Sequence, residues 1–144
     1  MSVAPEASPM LERAALRPTR QRTVILERLA RTAQPITAQS LHAELNRGDQ
    51  RGPGLATVYR TLQALADAGL ARSFPAGEGE LAYKLCAPEH HHHLICERCG
   101  RVEEIPSCEM EQWASKIARK RGFSVTSHQA DIYGICERCA ERGA

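Results

Sequence analysis

The tetrapeptide Cys-Glu-Arg-Cys occurs twice in this 144-residue chain, at Cys96–Cys99 and Cys136–Cys139. A tight C-x-x-C turn points both sulfurs into one hemisphere. Two such turns brought together make a tetrahedral thiolate cage suited to zinc. Each copy follows an apolar, strand-like run, Leu94-Ile95 before the first and Ile132-Tyr133-Gly134-Ile135 before the second. The 36 residues between the pairs exceed what a compact ribbon needs, so a small subdomain must lie between them. A redox pair or disulfides would leave the duplication without a purpose. The first ten residues lack the apolar core of a leader, and no apolar run approaches the roughly 20 residues that cross a bilayer. The expectation is a cytoplasmic protein with no membrane partner, where thiols serve metals more than disulfides.

The chain divides by composition. Residues 1–84 hold 11 Lys/Arg against 8 Asp/Glu and no cysteine, whereas residues 85–144 hold 8 against 9, all six cysteines and five of the six histidines. In the basic half, Thr19 is placed to cap a helix from Arg20 to about Arg31 with Val24, Ile25 and Leu29 on its apolar face. After Pro35, Thr37 can cap a second helix that buries Leu41 and Leu45. Gly48 to Gly54 is a loop. A third helix runs from about Ala56 to Ala68 and closes at Gly69. Its inner stripe is Val58, Leu62 and Leu65. Its outer face carries Thr57, Tyr59, Arg60 and Gln63, side chains of the kind that read bases and phosphates. Leu70–Phe74 and Leu81–Leu85 then read as a hairpin. Three helices and a hairpin make a winged helix-turn-helix, with the third helix in the major groove. Arg17, Arg20 and Arg22 cluster near the first helix and suit phosphates or the minor groove.

In the cysteine-rich half, Ser107 can cap a helix from about Cys108 to Arg121, with Met110, Trp113, Ala114 and Ile117 as its apolar stripe. Two strands should follow, Phe123–Ser127 and Gln129–Ile135. A small sheet with one helix leaves free edges at which two copies can join, and a dimer suits a near-palindromic DNA site. The run His90-His91-His92-His93 leads directly into the first cysteine pair. On an extended segment His91 and His93 face one side, His90 and His92 the other, so one short run can serve two metal sites.

These stretches together resemble the ferric uptake regulator family, most closely its zinc-uptake branch. The resemblance rests on Leu16–Arg22, Gly54–Leu62, His90–Gly100 and Gly134–Cys139 and spans nearly the whole chain from about residue 11. It implies an α+β protein: a winged-helix DNA-binding domain over residues 1–85, a ligand-bearing hinge over 86–93, and a dimerisation domain over 94–144. It implies Tyr59 and Arg60 at the DNA, with the four cysteines as a structural zinc site. A sensing site would use Cys86, His91 and His93, and a third site His90, His92, Glu111 and His128. One departure stands out. Arg72 occupies a position where relatives carry an aspartate ligand, and a guanidinium cannot bind a cation. Glu104 is the first choice for the fourth sensing ligand, with Glu80 and Cys108 as alternatives. Cys108 also reads as a small buried helix residue.

Cys86 would add a soft thiolate to the sensing site, which favours Zn2+ over Fe2+ or Mn2+. The expectation is a homodimeric, zinc-responsive regulator of operator DNA. An iron- or peroxide-responsive relative, or a zinc-dependent protein-interaction module, is the alternative. An enzyme is not expected: the chain has no H-E-x-x-H and no deaminase pattern H-x-E…P-C-x-x-C.

Overall fold

The structure is a computed structural model that describes residues 7–49, 51–77, 79–86, 90–106 and 108–143. The chain forms two compact units, Met1–Pro88 and Glu89–Ala144. The residues read as a hinge therefore divide between them, with His90–His93 in the second unit.

In the first unit, α1 (Ala7–Arg13) precedes everything the sequence pattern announced. Pro9 sits in its first turn, where a missing N–H costs no hydrogen bond. The helix exists to bury Leu11, which is wholly inaccessible. Helix α2 (Arg20–Ala30) begins where its cap requires, with the Arg22 N–H donating to Thr19 Oγ1 at 3.2 Å. Its buried face is Ile25, Leu26 and Leu29, while Val24, expected inside, is exposed. A two-residue strand, β1 (Ile36–Thr37), leads into α3 (Ala38–Leu45). Thr37 caps α3 by accepting from the Ser40 N–H at 3.1 Å.

Helix α4 (Leu55–Asp67) buries Val58, Leu62 and Leu65 as its spacing predicts, together with Thr61. The Thr61 hydroxyl donates to the Thr57 carbonyl at 2.7 Å, so its polar atom is satisfied inside the core. Gly69 follows with φ of +75°, the left-handed turn that lets the Leu70 N–H reach the Leu65 carbonyl at 2.9 Å. Strands β2 (Ala71–Pro75) and β3 (Leu81–Leu85) form the expected hairpin. β1 adds to the other edge of β3, giving the order β1-β3-β2 with Ile36 opposite Tyr83. The core gathers Leu11, the three helices and Tyr83.

The α3–α4 loop is set by one side chain. Asn46 Nδ2 donates to the carbonyls of His42 (2.9 Å) and Pro53 (3.0 Å), and its Oδ1 accepts from the Gly52 N–H at 2.9 Å. A Cβ on Gly52 would stand 2.3 Å from the Leu45 carbonyl oxygen, so only glycine fits beneath this clamp. Asn46 thus fixes where α4 starts. Asn46→Ala is expected to lower stability by about 2 kcal/mol, since it orphans partly buried backbone groups. The midpoint of denaturant unfolding measures it.

In the second unit the central strand is β4 (His92–Cys96). β5 (Val102–Ile105) pairs with it antiparallel, and β6 (Asp131–Gly134) pairs parallel on the other side. The expected strand over 123–127 does not form. Both edges of β4 are taken, and residues 123–130 have no regular structure. The strand expected over 129–135 contracts to the four residues in register with β4. Helix α5 (Met110–Lys120) starts two residues after Cys108, which is therefore not a helix residue; Ser107, its expected cap, lies outside the described residues. No residue of α5 is buried, and its stripe of Met110, Trp113 and Ile117 is exposed. A short α6 (Glu137–Glu141) closes the unit. Among the described residues, no helix is long and apolar enough to cross a membrane.

Candidate metal centres and nucleic-acid face

The four-cysteine cluster follows from strand register. β4 ends at Cys96, and the turn after it closes through the Gly100 N–H to the Cys96 carbonyl and the Cys96 N–H to the Arg101 carbonyl, both at 2.9 Å. Gly100 takes a φ of +76° there. The parallel pairing of Cys96 with Gly134 brings the second turn alongside the first, joined by the Glu97 N–H to the Gly134 carbonyl at 2.9 Å. Cys136 precedes α6 and Cys139 lies within its first turn. One sulfur from each of the four lies within 4.8 Å of the others. Cys99 Sγ and Cys136 Sγ are 3.7 Å apart, close to the roughly 3.8 Å edge of a tetrahedral four-sulfur zinc cage. All four are free thiols.

The electrostatics also suit a cation. Backbone N–H groups of Cys99 and Cys136 hold the Cys96 thiol down at about 6. One of these is the Cys136 N–H, 3.3 Å from Cys96 Sγ. Cys139 is pushed up to about 12, first by its hydrogen bond to Cys136 and then by burial and the other sulfurs. The protein's own dipoles stabilise one thiolate, and the crowding of the remainder calls for a positive charge among them. The donor set and spacing fit zinc.

The histidine run alternates as expected. His91 Nε2 and His93 Nε2 lie 3.1 Å apart on one side. His93 is buried, with Nδ1 3.4 Å from Asp131 Oδ1 on β6 and Nε2 directed at His91. Glu104 stands opposite His93 across the β4–β5 ladder, which puts its side chain on the same face. In the first unit, Cys86 follows β3, and its N–H donates to the Leu70 carbonyl at 3.1 Å. Arg72 stacks its guanidinium over Phe74 at 5.7 Å, and Glu80 sits at the hairpin tip.

On the opposite side of the run, His90 and His92 meet His128 and Cys108, one ligand atom from each lying within 4.8 Å of the others. The carboxylate expected here, Glu111, is not in the cluster; it is exposed in the first turn of α5. Cys108, expected at the start of the helix, instead lies between β5 and α5.

On α4, Tyr59 and Arg60 are exposed and Thr57 is half-buried. Gln63 is also exposed, but its amide is engaged on both sides: Nε2 donates to Asp67 Oδ1 at 2.9 Å, and Oε1 accepts from the Tyr83 hydroxyl at 3.3 Å. Arg17 and Arg20 are exposed beside α2, and Arg22 Nη1 donates to the Arg17 carbonyl at 2.7 Å, which fixes the approach to the helix.

The family model for the ferric uptake regulator family matches residues 13–133. The chain is 43% identical over 126 residues to the zinc uptake regulation protein of Mycobacterium tuberculosis, covering 88% of this chain and 96% of that protein. It is 34% identical over 136 residues to the ferric uptake regulation protein of Campylobacter jejuni, covering 94% and 87%. The crystal structure of the Vibrio cholerae ferric uptake regulator superposes with a TM-score of 0.69 at 35% identity, covering 90% of this chain and 98% of that one. With a winged helix, a four-thiol cluster and this likeness along most of its length, the chain belongs to the ferric uptake regulator family of metal-sensing transcription regulators, which are not enzymes.

Proposed function

We propose that this regulator responds to zinc and binds operator DNA as a metal-loaded dimer in the cytoplasm, controlling genes of zinc homeostasis. The choice of metal rests on the donor chemistry of the sensing site proposed here, a Cys86 thiolate with His91, His93 and Glu104. Sulfur and imidazole favour zinc over the harder Fe2+ and Mn2+. The likeness to a zinc uptake regulation protein supports it. When bound, zinc at this site supplies the difference in free energy between DNA-competent and incompetent conformations. Cys96, Cys99, Cys136 and Cys139 hold a second, structural zinc.

The remaining work falls to side chains. Thr57, Tyr59 and Arg60 enter the groove on α4, and Arg17 and Arg20 meet phosphates. Gln63 serves by steadying α4 against the wing through Tyr83, and it reaches a base only by giving up that bond. The uncovered apolar face of α5, with Phe123 and Tyr133 also exposed, suits burial against a second copy.

The test is DNA binding by the purified dimer on promoter fragments, with Zn2+, Fe2+ and Mn2+ titrated separately and metal content measured. Zinc should raise affinity at the lowest free concentration. Stronger activation by iron would favour the reading that the Campylobacter jejuni likeness suggests. Arg60→Ala should weaken binding by about 1–3 kcal/mol, and loss of a phosphate contact should flatten the salt dependence by about one unit of slope. An affinity unmoved by salt would remove DNA from the reading.

A further inference from the structure

Cys108 Sγ lies 3.1 Å from His92 Nε2 and 2.9 Å from His128 Nε2. His90 Nε2 closes the ring at 3.2 Å from His92 Nε2 and 3.0 Å from His128 Nε2. The tautomer of His92 is fixed from behind: its Nδ1 lies 3.2 Å from the Ala130 carbonyl, which can only accept, so Nδ1 carries the proton and Nε2 presents a lone pair. That lone pair faces another imidazole nitrogen and a sulfur at once. A hydrogen-bonded ring needs a proton on every edge, whereas a single cation at the centre satisfies all four donors together. The edges of a tetrahedral His3Cys zinc site are about 3.4 Å for N···N and 3.6 Å for N···S, so the nitrogens stand a few tenths of an ångström inside those edges and the sulfur about half an ångström or slightly more.

We infer that His90, His92, Cys108 and His128 form a closed zinc site in which Cys108, not Glu111, is the fourth ligand. It draws together three segments that the sheet does not join: the start of β4, the residue pair before α5, and the connection over 123–130. Helix α5 buries none of its residues within the unit, so this site anchors its N-terminal end. Three imidazoles and a thiolate fill all four positions, which makes the site structural and gives it a preference for Zn2+ or Co2+ over Mn2+ and Fe2+. None of Cys86, His91 and His93 takes part, so the inference stands or falls apart from the sensing site.

The experiment uses the full-length Cys86→Ser protein with its chelator-accessible metal removed and Co2+ added. Cys108 is then the one thiol outside the four-cysteine cage. A cobalt–thiolate charge-transfer absorption should appear and should vanish in the added variant Cys108→Ser. Zinc affinity at this site, read by competition with a chromophoric chelator, should fall about tenfold or more with Cys108→Ser and stay unchanged with Glu111→Gln. Cys108→Asp should keep cobalt binding without the absorption, which separates loss of the sulfur from loss of the fold. An absorption that is absent, or that persists without Cys108, overturns the assignment, as does a loss of affinity in Glu111→Gln but not in Cys108→Ser.

Discussion

Replacing Cys96 with serine is expected to unfold the second unit while leaving the first unit folded. Cys96 ends the central strand and is the sulfur that the backbone of both cysteine turns addresses. Structural zinc in small domains is worth about 10–16 kcal/mol at neutral pH, as large as the whole stability of an ordinary domain. The second unit has little to set against that loss. Among its described residues the buried apolar ones are Ile95, Cys96 and Val102, beside His92 and His93. The first unit packs Leu11, Ile25, Leu26, Leu29, Leu41, Leu62, Leu65 and Tyr83 around a core with no ligand in it. Cys96→Ser should therefore lose the cage zinc, broaden the fluorescence of Trp113 (the sole tryptophan) and run as a monomer, while keeping much of its helical circular dichroism. A zinc-free Cys96→Ser protein that stays a stable dimer would refute the structural role of the cage.

Cys86→Ala should give the opposite pattern, a folded dimer with cage zinc in place and no zinc response. Coupling between effector and ligand is usually 5–150-fold in affinity, and this ratio should collapse to about one in the variant. Basal, zinc-independent affinity should be retained, because Thr57, Tyr59 and Arg60 are untouched. Two measurements suffice: metal content per chain, and fluorescence anisotropy of labelled promoter DNA with and without zinc. An unchanged zinc dependence removes Cys86 from the sensing site without touching the cage.

What the sequence made legible was whatever a local rule governs. Thr19 and Thr37 cap their helices because a β-region hydroxyl before an amphipathic run has one good use. Gly69 ends α4 by the same kind of local necessity. The four cysteines were legible because a duplicated short turn has no cheaper explanation. Features that depend on a distant partner escaped. Helix α1 is only seven residues long, contains a proline, and is held by one leucine in a core assembled from elsewhere. β1 has two residues, too few for any periodicity. Leu26 takes the inner place expected of Val24, because i, i+1 and i+4 (Ile25, Leu26, Leu29) share one helical face. Asn46 carries no local signal of its clamp, since its three partners are brought together by the turn itself. Cys108 lies before α5, which begins at Met110, and the sheet brings it beside His92 and His128, a placement no local pattern announces.

The short segment from His90 to Cys96 behaves as a ruler. Odd and even positions along it are dealt to opposite faces of the sheet, and the last mark on the scale belongs to the thiol cluster. Because the four histidines are contiguous, deleting any one of them gives the same sequence: imidazoles remain at the places of His91, His92 and His93, and only the His90 position loses its ligand. A one-residue deletion here should thus cost the group of His90, His92, Cys108 and His128 one donor, whereas one at the tip near Gly77 and Gly79 should cost none. The pleat of a single strand thus sets which donors each side of the run can offer.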